Sequence, residues 1–212
     1  MRLPAARSRG ALLVAGAATV LLCSLMYSIP EHVHLAMPVQ LPLTAVDRAI
    51  PFWPLSGLVY FGVFVFMAAS FLTLRGARAW RFLHASLVAQ AIGMLCFLLW
   101  PTTYPRELYP LPASTGALGA ALVHFVRISD APVNCLPSLH VCTVTLCVLA
   151  LRGSRWSGPA AILALPLAAS TLTFKQHYLA DAITGAALGA IAWWLVRATE
   201  RDAQSRAINA GP

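Results

Sequence analysis

Apolar and polar positions alternate along the chain in long blocks. Polar segments rich in arginine or proline separate the apolar blocks. A helix of about 20 apolar residues is long enough to cross a bilayer, and somewhat shorter runs can still do so in part. The pattern therefore predicts an all-α bundle of about six transmembrane helices, at residues 11–29, 55–74, 82–100, 137–151, 159–173 and 178–196.

Two further segments predict helices at the membrane surface. Residues 43–50 lie between prolines and are long enough for one or two helical turns. Residues 116–127 are small and apolar but short for a full crossing, which favours an interfacial or re-entrant helix. We divide this single membrane domain into an N-terminal helix and interfacial loop (1–54), a core (55–197) and a polar tail (198–212) that we expect to be frayed.

The first apolar block has an alternative interpretation as a cleaved signal peptide, because arginines precede it. Its length exceeds the ~7–15 residues of a signal core, and no clear small-x-small cleavage site ends it. We therefore favour a first transmembrane helix whose N-terminus lies in the cytoplasm.

Composition supports a membrane protein and argues against a nucleic-acid partner. The chain is 59% hydrophobic and 10% charged, whereas a soluble domain carries about 25% charged residues. The net charge is +8. The arginines, however, lie in short clusters between apolar blocks and form no continuous basic face. We expect the lipid bilayer, and no nucleic acid, as a partner.

The fifteen basic residues predict an orientation. With the N-terminus inside, eleven fall in cytoplasmic segments, and four fall outside: Arg48, Arg106, Arg127 and Lys175. This bias follows the positive-inside rule. The same topology, which uses no motif, places two polar clusters around His140 and His177 on the extracytoplasmic side.

His177 and Asp181 are four residues apart, so on a helix they share a face and can form a hydrogen bond. A carboxylate on one imidazole nitrogen fixes the tautomer and leaves the other nitrogen available as a nucleophile. Two alternatives remain. The pair could stabilise a helix end, or it could bind a metal, although the outer segments lack a full ligand set with familiar spacing.

His140 falls near the start of the fourth predicted span, within one turn of Ser138. A second imidazole facing His177 could act as the general acid for a leaving alkoxide. The alternative is a core histidine with its hydrogen bonds satisfied. Ser138 is either a helix cap or, with backbone N–H groups at the positive end of the helix, a ligand for phosphoryl oxygens.

Three cations lie near these clusters in the outer segments: Arg106, Arg127 and Lys175. Phosphoryl transfer builds negative charge on the equatorial oxygens, and fixed cations there supply much of the catalysis. The alternative is that these side chains extend to lipid headgroups.

The five cysteines show no paired or metal-ligand spacing, and most lie in apolar runs, where cysteine acts as a small hydrophobe. Cys135 and Cys142 flank the first cluster on the predicted outer side, where a disulfide between them could form. We expect no metal ion and no other cofactor.

The segment 137–140 (Pro-Ser-Leu-His), with Ser170, His177 and Asp181, resembles the second and third signature motifs of the type-2 phosphatidic acid phosphatase superfamily. That superfamily includes lipid phosphatases and, on a related soluble fold, vanadium haloperoxidases. The resemblance covers roughly residues 55–197, which makes this the phosphatase-like core.

The resemblance implies a role for each motif residue. His177 would be the nucleophile that takes the phosphoryl group, and Asp181 would orient it. His140 would protonate the leaving group. Ser138 and Ser170 would bind phosphate oxygens.

The chain departs from the superfamily pattern in its cations. The third motif normally has an arginine directly after its serine, where this chain has Thr171. The first motif, a lysine followed after six residues by Arg-Pro, is absent. The nearest substitute is segment 104–107 with Arg106, and Leu99 falls at the position of the lysine.

Segments 134–140 and 173–178 are similar to the branch related to inositol phosphorylceramide synthases. Members of that branch transfer a phospho-headgroup between lipids or onto inositol. In that case Lys175 would replace the missing arginine.

The sequence thus leads to an integral-membrane lipid phosphatase that acts through a phosphohistidine, with its site facing outward from the plasma (inner) membrane. A phospho-headgroup transferase on the same scaffold is the first alternative. A transporter or structural protein, whose histidines relay protons or pack, and a metal-dependent hydrolase are further alternatives.

Overall fold

The computed structural model describes residues 8–33, 35–130 and 132–209, with side chains through residue 206. About 75% of the chain is helical, and two parallel two-residue strands pair with each other, β1 (Val39–Gln40) and β2 (Thr102–Thr103). The helices are α1 (Arg9–His32), α2 (Ala45–Ala49), α3 (Gly57–Thr73), α4 (Gly76–Leu99), α5 (Ala117–Ser129), α6 (Leu139–Leu151), α7 (Ser157–Thr173) and α8 (Leu179–Asn209). The predicted all-α fold is confirmed.

In the part of the chain that the structure describes, four helical segments are long and apolar enough to cross a membrane: α1, Pro54–Thr73 (α3 with the short 3-10 helix before it), α4 and α8. They indicate a membrane protein. The fourth and fifth predicted spans correspond to α6 and α7, which are apolar but have only 13 and 17 residues. At 1.5 Å per residue, α6 covers about 20 Å, less than the ~30 Å hydrocarbon core.

Two element boundaries differ from the prediction by more than three residues. Helix α4 begins at Gly76, so the basic segment between the second and third predicted spans forms its first turns. Helix α8 continues to Asn209, so most of the predicted frayed tail is helical. A hydrogen bond of 2.7 Å from Arg81 Nε to Glu200 Oε2 ties this extension to α4. The hydropathy pattern could not locate either helix end, because polar residues continue a helix as readily as apolar ones.

Helix α6 lies at the centre of the bundle and contacts α3, α4, α7 and α8. The main core consists of buried side chains from α4, α6 and α8, among them Phe82, Ala85, Leu146, Cys147, Leu188 and Ala192. The short α6 is therefore surrounded by longer helices, and its N-terminal turn is held inside the protein.

Helices α6 and α8 approach each other at two glycines. A Cβ atom on Gly185 would overlap the carbonyl oxygen of Ser138, and one on Gly189 would lie 2.8 Å from the carbonyl oxygen of Cys142. Small residues four apart allow two helix backbones to pack closely. This contact sets the first turn of α6 against the first turns of α8.

Candidate active site

His177 lies in the short connection between α7 and α8. The backbone N–H groups of Gln176 and His177 donate to the carbonyl oxygen of Thr171, at 3.1 and 3.3 Å. Lys175 adopts a left-handed backbone conformation (φ 57°), which turns the chain. His177 is 6% exposed and lies two residues before the start of α8. The turn thus presents the imidazole at the end of the bundle.

The partners of His177 fix its tautomer. Its Nδ1 lies 3.0 Å from the carbonyl oxygen of Cys135 and 3.2 Å from Oδ2 of Asp181. A carbonyl oxygen can only accept a hydrogen bond, so Nδ1 carries the proton. In the neutral ring the lone pair is then on Nε2. This is the arrangement that a nucleophilic histidine requires.

Asp181 is fully buried in the first turn of α8 and has more than one partner. Its Oδ2 also accepts from the backbone N–H of Tyr178, at 2.9 Å. Its backbone carbonyl accepts from the N–H of Ser138, at 3.0 Å. Asp181 therefore orients His177 and at the same time joins α8 to the first polar cluster.

His140 lies in the first turn of α6 and faces His177, with 5.9 Å between the ring centroids. The hydroxyl of Tyr60 lies 3.4 Å from His140 Nδ1, and the two rings are 4.3 Å apart. Phe64 packs edge-on against His140 at 5.6 Å. The structure thus brings the two predicted histidines together and adds Tyr60, which the sequence analysis missed.

The two predicted phosphate-binding serines make local helix contacts. Ser138 Oγ accepts from the N–H of Val141 at 3.4 Å, as an N-cap. Ser170 Oγ donates to the carbonyl oxygen of Leu167 at 2.6 Å. Both side chains are buried. Ser138 can still donate from its hydroxyl, whereas Ser170 must give up its present bond before it can donate to a phosphate.

The predicted cations contact protein groups. Arg106 pairs with Asp130 at 3.2 Å, and Arg127 donates to the carbonyl oxygens of Arg106 and Tyr109. Lys175 lies over the ring of Tyr109 at 4.3 Å. The three cations therefore form one connected group around Tyr109.

Lys175 is 2% exposed, and its ammonium group is held by α2. Nζ donates to the carbonyl oxygens of Asp47 at 2.9 Å and Ile50 at 2.6 Å. Burial lowers the pKa of Lys175, and the charge of Asp47 partly offsets this. These contacts anchor the α7–α8 turn and use two of the three ammonium protons.

Comparison with known proteins gives one match. A family model described as the PAP2 superfamily matches residues 56–195. The chain belongs to the PAP2 superfamily. Members are generally phosphatases or phosphoesterases, so this PAP2 protein is assigned to that class of enzyme. No curated protein and no solved structure matches it.

Asp47 of this PAP2 protein is a second residue that the sequence analysis missed, and it lies outside the matched segment. It forms a capping box with Thr44, and its Oδ1 accepts from the N–H of Leu179 at 2.8 Å. Burial raises the pKa of Asp47, but hydrogen bonds from Thr44 and Leu179 and the charge of Lys175 outweigh burial and lower it. The Thr-x-x-Asp spacing is a signal that could have revealed the cap on α2, but no local spacing could have revealed the bond to α8.

Among the residues that the structure describes, the side chains form neither a metal site nor a disulfide. No group of three or more His, Cys, Asp or Glu side chains there is arranged to hold a metal ion. Cys135 and Cys142 are both free thiols.

Proposed function

We propose that the protein is an integral-membrane phosphoesterase that hydrolyses a lipid phosphate through a phosphohistidine on His177. The observation that carries the proposal is the pair of imidazoles, one with its lone pair on Nε2 and the other facing it at a centroid distance of 5.9 Å. A nucleophile and a proton donor on opposite sides of one phosphorus atom are what phosphoryl transfer to histidine needs.

In the first step Nε2 of His177 attacks phosphorus. An N–P bond forms, the P–O bond to the lipid breaks, and its electron pair goes to the leaving oxygen. Burial disfavours a charged ring at His140, so its imidazolium forms beside the negative charge of the bound phosphate group. This imidazolium donates its Nε2 proton to the leaving oxygen and becomes neutral. The hydroxyl oxygen of Tyr60 can accept from Nδ1–H of His140 in both states, so the exchanged proton is the one on Nε2.

In the second step water attacks the phosphohistidine. Neutral His140 takes a proton from that water as the N–P bond breaks, which releases phosphate and restores the imidazolium. The carboxylate of Asp181 stabilises positive charge on the ring of His177 in both steps. The cycle balances without any redox step or additional co-reactant.

An alcohol such as inositol in place of water gives the transferase alternative. The chemistry on His177 is the same, and only the second step differs. In this scheme Lys175 replaces the missing arginine, and the carbonyl oxygens of Asp47 and Ile50 hold its ammonium group. The proposal places the site at the extracytoplasmic face of the plasma (inner) membrane, on the basis of the arginine distribution.

Phosphate release from a set of lipid phosphates and diphosphates, with and without inositol, tests the proposal. Release without an acceptor supports hydrolysis, and product formation only with inositol supports transfer. His177→Ala should abolish either reaction. The matched control is His124→Ala, an exposed histidine on α5, which should retain activity. Turnover that persists in His177→Ala would overturn the proposal.

A further inference from the structure

A second polar feature lies at the other end of the bundle from the histidines. Four arginines from three parts of the chain line a cleft of ≈ 590 Å³: Arg78 and Arg81 of α4, Arg152 directly after α6, and Arg197 of α8. Trp193 forms part of its wall. We call this feature the arginine cleft.

The arginine cleft is remote from the candidate active site. Asp181 and Arg197 are both in α8, and 16 residues of helix correspond to about 24 Å. Likewise, α6 carries His140 in its first turn and ends directly before Arg152. A ligand in the cleft therefore occupies a site of its own, and this inference is independent of the proposed reaction.

The charges in the cleft are largely unbalanced. Arg81 pairs with Glu200, and its guanidinium lies 5.5 Å from the centroid of the Trp193 ring. Arg78, Arg152 and Arg197 are exposed, and no carboxylate pairs with them in the part of the chain that the structure describes. Like charges that converge on one concave surface repel each other unless an anion lies between them.

Guanidinium groups bind phosphate oxygens in pairs, and basic pockets between membrane helices are typical headgroup sites. The positive-inside rule explains why arginines occur at this end of the bundle. It does not require arginines from α4, α8 and the α6–α7 connection to surround one cleft. We infer that the arginine cleft binds a phosphate-bearing anion, supplied either by a phospholipid headgroup of the adjacent leaflet or by a soluble phosphate.

The test compares the purified full-length protein in phosphatidylcholine nanodiscs, in nanodiscs that also contain phosphatidylglycerol, and in phosphatidylcholine with inorganic phosphate. The readouts are the melting temperature and lipid retention in native mass spectrometry. Arg152→Gln and Arg197→Gln should each lower the apparent affinity for the anion about tenfold. Arg155→Gln is the matched control, because Arg155 lies in the same loop but stacks on Trp156 outside the cleft.

A response to phosphatidylglycerol that Arg152→Gln and Arg197→Gln weaken, and Arg155→Gln leaves intact, supports a headgroup site. The same variant pattern with inorganic phosphate alone supports the site and assigns it to a soluble anion. An equal loss in Arg155→Gln, or no anion response that depends on Arg152 and Arg197, overturns the inference. Melting temperatures in phosphatidylcholine alone show whether a variant is folded. If either Arg152→Gln or Arg197→Gln is unfolded, the anion response of the other variant tests the inference.

Discussion

The two imidazoles of the site differ in what their Nδ1 atoms contact. His177 Nδ1 faces two groups that accept, Cys135 O and Asp181 Oδ2, so its lone pair is on Nε2. His140 Nδ1 faces the hydroxyl of Tyr60, which can donate or accept. This difference lets one ring serve as the nucleophile while the other exchanges protons. The sequence predicted both histidines but not Tyr60, because 80 residues separate Tyr60 from His140 and no local spacing reveals the contact.

Tyr60→Phe tests this arrangement. The variant keeps the ring that packs on His140 and removes only the hydroxyl. Because a bond of 3.4 Å is weak, we expect kcat to fall about threefold to tenfold with KM unchanged. Steady-state kinetics on the best lipid phosphate measure both constants.

Tyr27→Phe is the control for Tyr60→Phe, since Tyr27 also has a hydroxyl bond in the protein interior, to Asp130 at 2.8 Å. It should lower the melting temperature and leave kcat near the wild-type value. A rise in KM alone for Tyr60→Phe, or an equal fall in kcat for Tyr27→Phe, would contradict a positioning role for Tyr60.

At the scale of elements, the site depends on how α8 is held against α6 and α2. The Gly185 and Gly189 contacts set α8 on the backbone of α6, and the bond from Leu179 N–H to Asp47 holds its first turn. The sequence indicated α6 and α8 by their apolar runs, and α2 by a short segment between prolines. It did not indicate their partners, since a uniformly apolar helix has no face that marks its neighbour.

Gly185→Ala should move α8 away from α6. Its Cβ would meet the backbone at Ser138, which cannot give way as a flexible side chain would. We expect a loss of stability of about 1–3 kcal/mol and a fall in activity of at least tenfold, because the two histidines separate. Thermal unfolding and phosphate release measure the two effects.

Gly158→Ala is the control, because Gly158 is helical and nothing lies within 4 Å of an added Cβ. It should be neutral or slightly stabilising. If Gly185→Ala is also neutral or slightly stabilising, α6 and α8 do not pack as closely as described.

Asp47→Ala removes the cap that joins α2 to α8. The loss of a buried carboxylate that accepts hydrogen bonds from Thr44 and Leu179 should cost about 1–3 kcal/mol at neutral pH. Asp202→Ala, an exposed carboxylate in the helical extension of α8, should cost little. Thermal unfolding of both variants provides the comparison.

The effect of Asp47→Ala should also depend on pH. The native pKa of Asp47 is lowered, so its contribution is complete above the ordinary carboxyl pKa of about 3.9 and is lost as the pH falls through the lowered value. The difference between wild type and variant should therefore be constant from about pH 5 to 7 and shrink below about pH 4. A difference that grows on acidification would contradict the assigned hydrogen bonds.

For the whole molecule, hydropathy and arginine distribution predicted a helical membrane protein, and four helices fit that description. The spacing predicted the pairing of His177 with Asp181, whereas the predicted topology and the family resemblance led us to expect His140 beside them. The helical extension of α8 and the unpaired arginines of the cleft could not be predicted, since they depend on which helix ends meet. The contacts of Lys175 with α2 likewise depend on tertiary packing.

The predicted orientation can be tested with cysteines at opposite ends of the bundle. Ser114 lies in the exposed segment before α5, and Arg155 lies in the exposed loop before α7. A membrane-impermeant thiol reagent added to intact cells should label Ser114→Cys and not Arg155→Cys, with labelling of Arg155→Cys only after lysis. The reverse pattern would place the histidine pair in the cytoplasm.

The most direct test of the account is capture of the covalent intermediate. The protein is mixed with a lipid phosphate labelled in its phosphoryl group, quenched within milliseconds under alkaline conditions, and analysed by peptide mass spectrometry. The account predicts an acid-labile phosphoryl group on His177, absent from His177→Ala and longer-lived in His140→Ala once formed, because the base for the attacking water is missing. Rapid phosphate release with no label on His177, or with the label on another residue, would contradict it.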